Sequence, residues 1–118
     1  MMPANRRRGE IAATIDGRER ILCLTLGALA ELESAFAVDD LGALAERFST
    51  GRLSSRDLMR VVGAGLRGGG MAVSDDEVAA MKAEGGAVGF AAIAAELLAV
   101  TFGAEPGERK GGEGRADP

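Results

Sequence analysis

Four stretches of the sequence contain residue types that could do chemistry. They are the arginines Arg6, Arg7 and Arg8, the lone Cys23, the run Gly65-Leu66-Arg67-Gly68-Gly69-Gly70, and the acidic run Asp75-Asp76-Glu77. A glycine-rich loop cradles phosphate when it leads from a strand into a helix N-terminus, with a Lys-Ser or Lys-Thr pair close behind. Here the glycines follow a helical pattern and no such pair comes after them, so they read as a helix stop and loop. Consecutive carboxylates diverge around a helix start instead of converging on a cation, so Asp75, Asp76 and Glu77 read as a helix cap. Cys23 falls in an alternating segment, where a small buried hydrophobe is the default. The chain has no His, Trp or Tyr. That removes imidazole acid–base chemistry, Ser–His and Cys–His triads, His or multi-Cys zinc sites and any internal disulfide. No catalytic, cofactor-binding or metal-ligating residue is assigned, no cofactor is expected, and an enzyme is not.

Charge sorts the partners. Residues 9–103 contain 8 basic and 14 acidic groups, a net −6, and three of the remaining six basic residues are Arg6–Arg8. An acidic body lacks the clustered Lys and Arg that hold a phosphate backbone, so no nucleic acid is expected. A helix-turn-helix reading of 54–68 and 74–84 fails on the same ground, because Asp75, Asp76 and Glu77 would lead the recognition helix onto phosphates. Residues 86–103 contain one charge, Glu96. Half of this stretch is Ala or Gly and no basic flank precedes it, so it reads as a buried or partner-covered helix and no membrane contact is expected. The single thiol, the absence of an apolar leader and the abundance of Arg, Ala and Gly suit the cytoplasm of a bacterial producer cell with a GC-rich genome.

The elements that position these residues give an α+β fold: an N-terminal β-hairpin followed by a compact bundle of four to five short helices. Residues 1–8 read as a basic flexible N-terminus, 9–103 as a single globular domain and 104–118 as a disordered tail with no large apolar residue. In the hairpin Ile11, Ala13 and Ile15 alternate on one face and Asp16-Gly17 favours a tight two-residue turn. Thr25 caps a first helix that sets Leu26, Leu29, Leu32 and Phe36 on one side. Asp39-Asp40 precede a second helix with Leu41, Leu44, Ala45 and Phe48 inward. Ser54…Asp57 and Ser74…Glu77 form capping boxes, stapled by Leu53 with Leu58 and by Val73 with Val78. The third helix ends at Gly68-Gly69-Gly70 and the fourth, over 74–84, at Gly85-Gly86. The fifth runs over about 87–102 and stops at Gly103.

The fifth helix supplies the candidate contact surface. Phe90, Ile93, Ala94, Leu97, Leu98 and Thr101 share one face, for which the hairpin and the first helix offer an apolar wall. The side of Ala91, Ala95, Ala99 and Phe102 is left for a partner helix, since small residues permit close approach. Its burial inside the fold, against the third and fourth helices, is the competing expectation.

The segments NRRRGEIAATIDG (5–17), LTLGALAELE (24–33), GRLSSRDLMRVV (51–62) and GLRGGG (65–70) resemble the small proteins of alphaproteobacterial gene transfer agents, and of related tailed phages, classed as tail assembly chaperones. The resemblance covers about Asn5 to Phe102. It implies a non-enzymatic role: binding the tape-measure protein, keeping it soluble, assisting recruitment of the tail-tube protein, and leaving before the particle is finished. It brings no catalytic residues. Two other classes stand beside it: a structural tail or head–tail connector subunit retained in the particle, and a small nucleic-acid-binding regulator acting through Arg6–Arg8. The sequence does not fix the oligomeric state.

Overall fold

A computed structural model describes residues 4–103. A two-stranded antiparallel hairpin opens the fold, with β1 (Glu10–Ile15) and β2 (Arg18–Cys23) paired so that Ile11 faces Leu22 and Ile15 faces Arg18. Asp16 and Gly17 take φ of 54° and 76°, the positive values that a two-residue turn needs to match the strand twist. Alternation then points Ile11, Ile15, Leu22 and Leu24 to one face, where all four are buried. Before the hairpin, Arg6–Arg8 form a single 3-10 turn capped by the Asn5 side chain.

Five helices follow: α1 (Leu26–Ala35), α2 (Leu41–Ser49), α3 (Ser55–Gly68), α4 (Asp75–Val78) and α5 (Gly86–Phe102). The first four start at the expected side chains. The Thr25 hydroxyl accepts from the Ala28 N–H at 3.1 Å, and the Asp40 carboxylate from the Ala43 N–H at 2.8 Å. Both capping boxes close reciprocally: Ser54 with Asp57, and Ser74 with Glu77. Each satisfies amide donors that the first helical turn leaves without an intrahelical acceptor. Gly103 ends α5 in the left-handed conformation, its N–H donating to the Ala99 carbonyl.

α3 is the central element. Val61, Val62, Ala64 and Leu66 are fully buried against the hairpin, α1 and α5. α1 runs antiparallel to it: Arg67 meets Glu31 at 2.7 Å near one end, and the Arg60 guanidinium donates to the Ala35 carbonyl at 3.1 Å near the other. The glycine run lets the end of α3 lie directly on the free edge of β2. A Cβ at Gly68 or Gly69 would overlap the carbonyl oxygens of Cys23 and Ile21. The run is thus a packing surface at the end of α3.

Three local expectations are corrected. The fourth helix is one turn, not eleven residues. Past Val78 the amides of Ala80 and Met81 reach back only three residues, to Glu77 and Val78, and the backbone that follows has a tertiary partner: Asp16 N–H donates to the Lys82 carbonyl at 2.7 Å, Lys82 N–H donates to the Asp16 carboxylate at 2.8 Å, and Ala83 bridges Ile15. Gly85 and Gly86 accordingly do not stop α4; with φ of 88° and 61° they start α5. Leu26 and Leu41 do not join the core. Each is the first residue of its helix, and they are 79% and 42% exposed. A helical side chain leans toward the N-terminal side of its own Cα, so at the first position it points past the end of the helix.

Candidate interaction surface

α5 separates into two sides. On the inner one Ala94 and Leu97 are fully buried, with Phe90, Ile93 and Leu98 packed around them. The wall they meet is the hairpin with α3, rather than the hairpin with α1. α3 lies between α1 and α5, and Gly65 permits the close approach of α5 and the hairpin: a Cβ there would press into Leu97 and Leu22.

On the outer side Val88 is 78% exposed, and Ala91, Ala92 and Ala95 are exposed with it. These positions are spaced i, i+3, i+4 and i+7, so they form one continuous stripe. Of the four residues singled out from the sequence, the structure places Ala91 and Ala95 on this stripe. Ala99 is half-buried, and Phe102 is half-buried against the core cluster. Val88 and Ala92 were not singled out, although the same helical spacing reaches both. The one charge on α5, Glu96, is held at 2.7 Å by Arg6 from the N-terminal turn. The first turn of α5 also borders an apolar groove of about 170 Å³, floored by Leu58, Met59, Val78, Met81 and Phe90.

The other candidates take structural roles. Arg6 pairs with Glu96, and Arg8 lies 3.6 Å from Glu10, so two of the three N-terminal arginines meet carboxylates. Asp75 binds Arg67 at 3.0 Å, which also reaches the Val73 carbonyl and ties α3 to the start of α4. Among the described residues no group of three or more Cys, Asp or Glu side chains is placed to hold a metal ion, and no helix is long and apolar enough to cross a membrane. Burial, helped by Glu10 and opposed by Arg8, pushes the Cys23 thiol up, away from the thiolate form that reacts. Gly68 and Gly69 face carbonyl oxygens, which repel phosphate, and Gly65 faces the Leu97 and Leu22 side chains. Asp57 is the one buried charged residue among those described. Burial pushes its carboxyl up, but the Ser54 N–H and the Arg47 guanidinium outweigh this and hold it below the usual range.

The described residues form a small α+β protein. A comparison with family profiles gives the lineage: residues 8–104 match the family described as "Phage tail tube protein, GTA-gp10". The chain belongs to that family, which makes it a tail protein of the gene transfer agent and phage type. Comparisons with curated proteins and with solved structures give no significant match.

Proposed function

We propose that the protein is a tail assembly chaperone that holds a helical segment of the tape-measure protein against the outer side of α5, assists recruitment of the tail-tube protein, and is released before the particle is complete. The observation that carries this reading is the uncharged stripe of Val88, Ala91, Ala92 and Ala95 on an otherwise acidic body. An amphipathic client helix needs an apolar surface, and methyl-sized side chains let its backbone come close. Each Ala exposes little apolar area at about 25 cal/mol per Å², so the stripe stays in water at modest cost while the chaperone is empty, as release requires. The role needs no catalytic group and no cofactor.

The family description favours a second reading, a structural tail subunit kept in the particle, with the same stripe covered by a neighbouring subunit. Two measurements separate them. Co-expression with the tape-measure protein followed by pull-down should capture a complex from the natural chain and lose it with Ala95→Arg. Blotting of purified particles should find no chain. Its presence at ring stoichiometry would establish the structural reading, and undiminished capture by a folded Ala95→Arg variant would remove the stripe from the client site.

A further inference from the structure

Glu84 and Glu96 are the only charged residues in 83–103, and both are exposed. α5 brings them to one edge of its outer stripe. A Cβ at Gly89 would overlap the Glu84 carbonyl oxygen, so the Glu84 backbone lies against the side of α5 that Gly89 marks. Glu96 comes seven residues after Gly89, two turns further along that side and about 10 Å away. Ala92, three residues from Gly89 and four from Glu96, joins this edge to Val88, Ala91 and Ala95. Glu96 already accepts one cation, the Arg6 guanidinium at 2.7 Å. Both side chains of that pair are about half exposed, at 49% and 45%, so a competing cation can reach the carboxylate. Among the described residues no cation lies within ion-pair distance of Glu84.

We propose that the helix held on α5 is basic as well as amphipathic. Its apolar side covers Val88, Ala91, Ala92 and Ala95, and two cationic side chains about seven residues apart take Glu84 and Glu96. The cation at Glu96 displaces Arg6. This inference rests on the client reading above and adds the chemistry of the client. Charge selects the occupant. The only charges in 83–103 are carboxylates, on a body of net −6 over residues 9–103, so an acidic helix or a second copy is repelled and a cationic helix is drawn in. Geometry agrees, because residues seven apart lie two turns apart on one side of a helix. That matches the spacing of Gly89 and Glu96 whichever way the client runs. Arg6 shows the form of the contact: a guanidinium on the Glu96 carboxylate, held in place until the client supplies its own.

The test is pull-down of co-expressed tape-measure protein by the full chain, with washes from about 0.05 to about 0.5 M salt. Glu84→Gln and Glu96→Gln keep the side-chain shape and remove the charge. Both sites and Arg6 are exposed, so these variants and Arg6→Gln stay folded in circular dichroism melts. The natural chain should release its client progressively as salt rises. Each Gln variant at 84 or 96 should weaken capture about two- to fivefold at low salt, the range of an exposed ion pair. The double variant should lose most of the salt dependence. Arg6→Gln should strengthen capture, because it removes the competitor at Glu96, whereas a purely structural Arg6 would leave capture unchanged or weaken it. A double variant with the natural salt profile, beside an Ala95→Arg variant that loses capture, overturns this proposal and leaves the client reading standing. Capture unchanged or weakened in Arg6→Gln overturns the displacement. A natural chain that captures no tape-measure protein removes the client reading and this proposal with it.

Discussion

Replacing Gly68 with Ala separates helix propensity from packing. In an exposed helix the change stabilises by up to about 1 kcal/mol, because Ala loses less backbone entropy than Gly. At Gly68 the added methyl would overlap the carbonyl oxygen of Cys23 and crowd its carbon. That oxygen belongs to backbone at the end of β2, so it cannot rotate away as a flexible side chain would. Either the end of α3 lifts off the strand or β2 shifts, and overpacking of this kind costs about 1–3 kcal/mol. Lifting α3 also loosens Leu22 and Leu66, both fully buried, which places the cost at the upper end. The net expectation is a loss of about 2 kcal/mol, or roughly 8–16 °C in Tm for a domain of this size. Gly42→Ala is the control. It lies near the start of α2, where a Cβ would meet only the Asp40 carboxylate oxygen at 3.5 Å, an ordinary contact. That variant should be neutral or gain a few tenths of a kcal/mol by propensity. Urea unfolding of the three proteins is the assay. A Gly68→Ala midpoint equal to or above that of the natural chain would refute the close docking of α3 on β2.

Three further outcomes follow from named contacts. Ser74→Ala, and equally Ser54→Ala, should lower stability by about 1 kcal/mol, because each removes the hydroxyl that accepts the N3 amide; unchanged urea midpoints for both would refute the capping boxes. The Asp57 carboxyl is held below its ordinary value by the Ser54 N–H and Arg47, so its stabilising effect is present above about pH 4 and disappears as pH falls through the lower folded value. Stability measured against pH should therefore lose part of its acid limb in Asp57→Asn, and an unaltered limb would show that another carboxylate controls it. A chain ending at Gly103 should melt with the natural chain, because the core formed by the described residues is complete before that position; a lowered Tm would assign residues 104–118 a packing role.

Local features were the legible part of this fold. Asp16-Gly17, Thr25, Asp40, Ser54 and Ser74 each act within a few residues, and each stands at the turn or helix start that its chemistry favours. What the sequence did not reveal depends on partners far along the chain. Residues 79–82 have ordinary helix formers, yet Lys82 binds Asp16, 66 positions away, and the helix ends after one turn. Leu26 continues the apolar spacing of α1, but periodicity does not tell whether a neighbour faces the first position of a helix. The candidate surface divides in the same way. Helical spacing placed Ala91 and Ala95 on the side away from Leu97. It did not show that α5 rests on α3, nor that Phe102 turns toward the core.

The glycines of α3 connect this packing to the surface. How deep α5 sits is set by what it meets at Leu97, and there Gly65 leaves no side chain in the way: a Cβ would come to 2.5 Å from a Leu97 methyl and 3.2 Å from one of Leu22. A larger residue at 65 would force the Leu97 and Leu22 side chains to give way. The outer stripe is uncharged because α5 has a single carboxylate, and Arg6 holds that carboxylate from the N-terminal turn. Residues far apart in the chain, Arg6 and Gly65, thus both bear on how α5 sits and on the charge that its outer side presents. Composition supplied the Ala-rich helix, and its packing at Leu97, where Gly65 permits close approach, leaves Ala91, Ala92 and Ala95 exposed and Ala94 buried.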